Sequence, residues 1–250
     1  MYSLAKLTKI DLLGRVEGPF DDEPPVERAA TRPLHVKILL NLSPVKPQET
    51  ILRPGDAAVL LSMLRSITRE PGLSRFTLVA FNLREQKIVH RQDNAEKIDF
   101  GQLGQAVQSR TAGALNYHLL QDRRSETHFL TKLLTDQLGA EAASPDAIII
   151  LGPKVTLEKK VPLEPLKEGG AAPCPIFYLN YNPNPFDEPW PDTIGSALKA
   201  YKRAVAYNIL LPRDLGVAIG DMLSRIGKRP SSEASIGSLL QATDGAASQQ

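Results

Sequence analysis

The feature that most restricts the fold is Ala147-Ile148-Ile149-Ile150-Leu151, a continuous apolar run closed off by Pro145-Asp146 before it and Gly152-Pro153 after it. A strand with one face in water alternates apolar and polar residues, so an uninterrupted run rich in isoleucine has both faces covered. That arrangement belongs mainly to parallel sheets sandwiched between helices. The rest of the chain must supply further strands and two layers of helix.

It supplies them in alternation, as stacked strand-helix units require. An apolar strand runs over 36–42, and Pro54-Gly55-Asp56 introduces a helix whose apolar face is Ala57, Leu60, Leu61, Leu64 and Ile67. Asp56 is placed to cap that helix and Pro71-Gly72 to stop it. Strands at 76–82 and 87–90 are separated by four residues, too few for a parallel crossover, so they form a hairpin. A helix with Ile98, Leu103 and Val107 follows, then one carrying Phe129, Leu130, Leu133, Leu134 and Leu138 behind Ser125. After the 147–151 strand, the pattern predicts a strand over 175–181 and a helix over 194–205. A strand over 207–211 comes next, and a last helix opened by Pro212, with Leu215, Ala218, Met222 and Ile226 on one face. The expectation is an α/β domain over 34–228, with a mostly parallel sheet of six strands and five or six helices on both faces. Residues 1–33 read as an arm or linker, with acidic residues and prolines combined over 17–33, and 229–250, rich in Ser, Ala and Gln, as a disordered tail.

Thirty basic against 28 acidic residues leave a net charge of +2, which gives no electrostatic case for a nucleic-acid partner. One cysteine, Cys174, excludes an internal disulfide and leaves the compartment unread. No stretch reaches the 18 or so apolar residues of a membrane span, and charges interrupt the first residues where a leader would lie. An extracytoplasmic location would require a leader that has been removed.

The candidate chemistry is sparse. His35, His90, His118 and His128 show no zinc-ligand spacing, and Cys174 at the head of an apolar strand reads as a small buried hydrophobe. Gly152-Pro153-Lys154 follows a strand as a phosphate loop would, but lacks its glycines. No G-x-S-x-G, G-x-G-x-x-G or G-x-x-x-x-G-K-[ST] motif occurs. These residues point to no enzyme, no cofactor and no metal.

The order of elements, a strand, a helix, an antiparallel hairpin, helices and three further parallel strands, resembles von Willebrand factor A-type domains over about residues 34–227. The hairpin phrase at 76–81, Pro175-Ile176-Phe177-Tyr178 and the passage through Pro212-Arg213-Asp214-Leu215 into the last helix are similar to the divergent VWFA-related proteins of acidobacteria. The resemblance implies a three-layer Rossmann-like VWA fold with a divalent-cation position at the carboxyl ends of the strands. The family's Asp-x-Ser-x-Ser aligns with Asn41-Leu42-Ser43-Pro44-Val45, its middle-loop Thr with Thr111, and its later Asp with Gly152 or Pro153. Only Ser43 and Thr111 keep the type. Without carboxylates a hard cation recovers little of its dehydration cost, so the position reads as degenerate.

What remains is the carboxyl edge itself, where open parallel sheets bind their ligands. The segment after the 175–181 strand holds Tyr181, Asn182, Phe186 and Trp190, the single tryptophan, among prolines that limit its backbone freedom. The reading is a non-enzymatic module that presents this loop to a protein partner. The alternatives are an enzyme assembling Ser43, Thr111 and His118, or a structural subunit of an envelope or secreted assembly.

Overall fold

The computed structural model describes residues 33–44, 52–111, 123–138, 145–157, 174–181, 192–199, 201 and 203–227. The arm at 1–32, the tail at 228–250, and Val45, His118, Asn182, Phe186 and Trp190 lie outside them. The described residues belong to the unit Pro33–Gln250.

Among the described residues eleven elements follow one another: β1 (Leu34–Asn41), α1 (Pro54–Thr68), β2 (Leu73–Asn82), β3 (Lys87–Ala95), α2 (Phe100–Thr111), α3 (Arg123–Leu138), β4 (Ala147–Pro153), β5 (Ile176–Tyr181), α4 (Thr193–Leu198), β6 (Ala204–Ile209) and α5 (Pro212–Gly227). The six strands form one sheet in the order β3-β2-β1-β4-β5-β6. All neighbours are parallel except β2 and β3, which pair antiparallel. This is an α/β Rossmann-like sheet, doubly wound about its two central strands.

The run that opened the sequence reading is β4, buried at every residue between β1 and β5. Alternation across the pleat sends Val36, Ile38 and Leu40 to one face, against Leu60 and Leu64 of α1, Leu103 of α2 and Met222 of α5. Leu39, Ile148 and Ile150 face the other side, against Leu130 and Leu134 of α3 and Ile194 and Leu198 of α4. Cys174 is fully buried in this second core. Lys37 is a cation within the same sheet. Its Nζ donates to the carbonyl of Gln137 at 3.1 Å, in the last turn of α3, where the helix dipole favours positive charge. Burial holds its pKa below the ordinary lysine value.

Several boundaries differ from the sequence reading. β3 continues to Ala95, through Arg91-Gln92-Asp93-Asn94, because it needs only β2 for its hydrogen bonds and carries little apolar pattern of its own. α4 stops at Leu198 and β6 begins at Ala204, so Val205 belongs to the strand rather than the helix. α1 begins at Pro54, with Arg53 in the cap position, and Asp56 sits inside the first turn.

Candidate functional site

In a sheet of this order the natural ligand crevice opens where the strand order reverses, between β1 and β4, since their following loops leave to opposite sides. Here that crevice is closed by the protein's own side chains. Asn41, the last residue of β1, is buried; its Nδ2 donates to the Pro153 carbonyl of β4 at 3.3 Å. Its Oδ1 accepts from the Ser43 amide at 3.0 Å and from the Ser43 hydroxyl at 2.5 Å. The Ser43 Oγ in turn accepts from the Leu83 amide at 2.9 Å, fastening the β1 end to the β2–β3 turn.

Gly152 explains why nothing larger stands opposite Asn41. Its φ of +156° is one that side chains rarely adopt, and a Cβ there would lie 2.5 Å from the Asn41 Cβ and 2.8 Å from its carbonyl oxygen. Of the positions aligned with the family's metal ligands, the structure therefore brings Asn41, Ser43 and Gly152 together and uses the first two on each other. The main chain of Thr111 ends α2. The Ser43 hydroxyl of the scattered-enzyme reading donates to Asn41 and accepts from Leu83, while the Thr111 side chain and His118 lie outside the described residues. Among the described residues no three His, Cys, Asp or Glu side chains converge as a metal would need. His35 lies at the opposite edge of the sheet, its backbone N–H bonded to Asp146 and its Nε2 2.9 Å from the Thr77 hydroxyl.

Ser43→Ala is expected to lower the stability of the chain by about 1–3 kcal/mol, because it strands the buried Leu83 amide and removes a donor from Asn41. A urea titration reads this directly; an unchanged midpoint would show that the Ser43 bridge contributes nothing.

Beside this closure lies a buried ion pair that the sequence did not reveal. Arg84, in the β2–β3 turn, places Nη1 2.6 and 2.7 Å from the two carboxylate oxygens of Glu126 in the first turn of α3. The side chains are 11% and 2% exposed. They line, with Ser43, Pro44, Leu83, Val155, Thr156 and Leu157, a cleft with room for about one water.

Farther along the edge, β5 ends on two residues that fix the roots of the following loop. The hydroxyl of Tyr181 donates to Asp56 of α1 at 3.5 Å. Asn180 Nδ2 donates to Asp192 Oδ2 at 3.1 Å, just ahead of α4. Burial raises the Asp192 pKa above the usual carboxylate value, against the opposing pull of the Gly195 amide. Tyr178 is buried beside it, close enough for burial and the Asp192 charge to push its pKa well up, but outside hydrogen-bond geometry.

On the α1 and α5 side, the same edge opens into a groove of about 420 Å³, lined by Val59, Ser62, Met63 and Ser66 of α1, by Tyr181, and by Ile209, Leu210, Leu211, Pro212 and Leu215 at the β6–α5 junction. Leu210 is 47% exposed, Leu211 48% and Val59 39%. The sequence reading placed Leu210 and Leu211 inside the last strand. In the structure they follow it, and so face outward. The signal that marks them is their position between the last β6 residue and Pro212, past the point where β5 offers a pairing partner.

No family model matches the chain. No curated protein matches it. Among solved structures it is similar to a UDP-GlcNAc 2-epimerase from Neisseria meningitidis bound to UDP-GlcNAc, at 12% identity and a TM-score of 0.35, over 76% of this chain and 43% of that one. The chain thus spans less than half the length of that neighbour. The neighbour is an enzyme, so the expectation that this chain is not one is corrected and withdrawn. A likeness of this strength lends it no reaction, substrate or cofactor. Among the described residues no helix is long and apolar enough to cross a membrane.

Proposed function

We propose that this chain is a protein-interaction module on a von Willebrand factor A-type scaffold, whose ancestral metal position is closed by Asn41, Ser43 and Gly152. The strand order and the antiparallel β3 accord with that scaffold. The observation that carries the reading is the open apolar groove at the carboxyl edge, next to a crevice the protein has sealed. A monomer in water has little reason to leave adjacent leucines half exposed on the rim of a concavity, whereas an interface uses such residues as its desolvated centre. The segment with Asn182, Phe186 and Trp190 lies outside the described residues; the residues that flank it, Tyr181 and Asp192, are held at this edge, and the reading takes Phe186 and Trp190 as its candidate anchors from the sequence.

The test compares capture of binding proteins by the full chain, by a Leu210→Ser/Leu211→Ser variant and by a Phe186→Ala/Trp190→Ala variant, with circular dichroism as the folding control. A protein retained by the native chain and lost at least tenfold from the first variant supports the groove, since apolar anchors of this size contribute over 1 kcal/mol each. Equal capture by all three would overturn the reading.

A further inference from the structure

The two edges of the sheet are built differently. β3 carries Lys87, His90, Arg91 and Asp93, has two irregularities in its register with β2, and places Asn94 at φ +48°. Charges and bulges of this kind stop an edge strand from accepting a neighbour. β6 has none of them. Ala204-Val205-Ala206-Tyr207-Asn208-Ile209 holds no charged residue and no proline, and stays in unbroken register with β5.

Its free side also has hydrogen-bonding groups to offer. The Arg203 carbonyl accepts from the Ile176 amide and so faces β5. Successive residues of a strand turn their N–H and C=O to opposite sides, so Ala204, Ala206 and Asn208 direct theirs away from β5; the Ala204 amide is taken by the Tyr201 carbonyl at 3.2 Å, so the edge is offered by Ala206, Asn208 and the Ala204 carbonyl. Ala206 and Asn208 are exposed, and among the described residues no strand lies beyond β6.

We propose that a second copy of this chain adds across β6, antiparallel and centred on Ala206, so that two six-stranded sheets become one through a two-fold axis. The inference goes beyond the groove reading and does not depend on it. A two-fold interface uses the same patch twice, so the strand must complement itself, and in this register it does. Ala206 faces its own copy, and Val205 of each chain lies opposite Tyr207 of the other, on the side covered by α5. Both are half-buried within one chain, and a β-branched residue against an aromatic ring is a favourable cross-strand pair. The Tyr207 ring is held in advance, since its hydroxyl donates to Asp221, which Arg225 also bonds at 2.8 Å. Arg203 falls opposite Ile209, and no like charges meet.

The experiment measures the mass of the full chain by light scattering across a concentration series, together with Ala206→Glu and Ala206→Lys. Position 206 is exposed and uses no core contact, so circular dichroism should be unchanged in both variants. The native chain is expected at twice its 27.3 kDa. Each variant alone, with like charges facing at the axis, is expected at the single mass, and the equimolar mixture of the two at the double mass again. A native chain that stays single at every concentration overturns the proposal, as do variants that remain double or a mixture that fails to recover. None of these results changes the groove test, which reads capture of other proteins at Leu210 and Leu211.

Discussion

Arg84→Met is expected to cost about 3–5 kcal/mol of folding stability, because it leaves the Glu126 carboxylate buried with no compensating charge. Glu126 is almost fully enclosed, and the single guanidinium nitrogen that reaches both its oxygens is its counter-ion. Removing both charges at once should cost far less. A buried pair contributes little net stability over an apolar pair of similar volume, so Arg84→Met/Glu126→Leu should recover most of the loss. Guanidinium titrations of the two variants make the comparison. Equal losses in both would mean that the cost lies in packing around the β2–β3 turn and not in the orphaned charge.

Gly152→Asp supplies the carboxylate that the proposed scaffold would place near this position, and should harm the chain without conferring metal binding. The new Cβ meets Asn41 at 2.5 Å from its Cβ and 2.8 Å from its carbonyl, on strands held in place by the pairing of Asn41 with Phe81 and of Gly152 with Asn180. Overpacking of this kind costs about 1–3 kcal/mol, and the backbone angle at residue 152 adds about 1–3 kcal/mol of strain for any side chain. The oxygen atoms a cation would recruit are already used: Asn41 Oδ1 accepts twice and the Ser43 hydroxyl both donates and accepts. Calorimetry with Mg²⁺ should therefore give no binding heat for the native chain or for the variant. A stable variant that binds Mg²⁺ at micromolar affinity would show that the edge opens readily and that the closure account is wrong.

The layered architecture was legible because it rests on pattern. β4 announces itself as a run with no polar residue, and α1 and α5 as apolar residues spaced three and four apart. What failed to show was whatever the pattern does not encode. Beyond His90, β3 proceeds through four polar residues placed by pairing with β2 and by polar contacts such as that of the Asn94 amide with the Thr77 hydroxyl, not by an apolar pattern. At 194–205 the apolar positions Ile194, Ala197, Leu198, Tyr201 and Val205 fit a helix, yet Val205, Tyr207 and Ile209 also fit the two-residue period of a strand, and pairing with β5 decides for the strand. The candidate site was legible only at one end. The sequence shows that Asn41 and Gly152 lack carboxylates, but not that the amide reaches Pro153 or that the glycine is needed for its approach. Arg84 and Glu126 stand 42 residues apart, and nothing local in either stretch singles out the other.

The charged, bulged β3 has a consequence for how far such a sheet can grow. A strand that offers pairing groups on both flanks is a monomer unit of a fibre, because every addition exposes a fresh acceptor. If two copies join through β6 as proposed, that docking uses up the unguarded edge among the described strands, and the charged β3 then stands at both ends of the joined sheet, where it resists a third member.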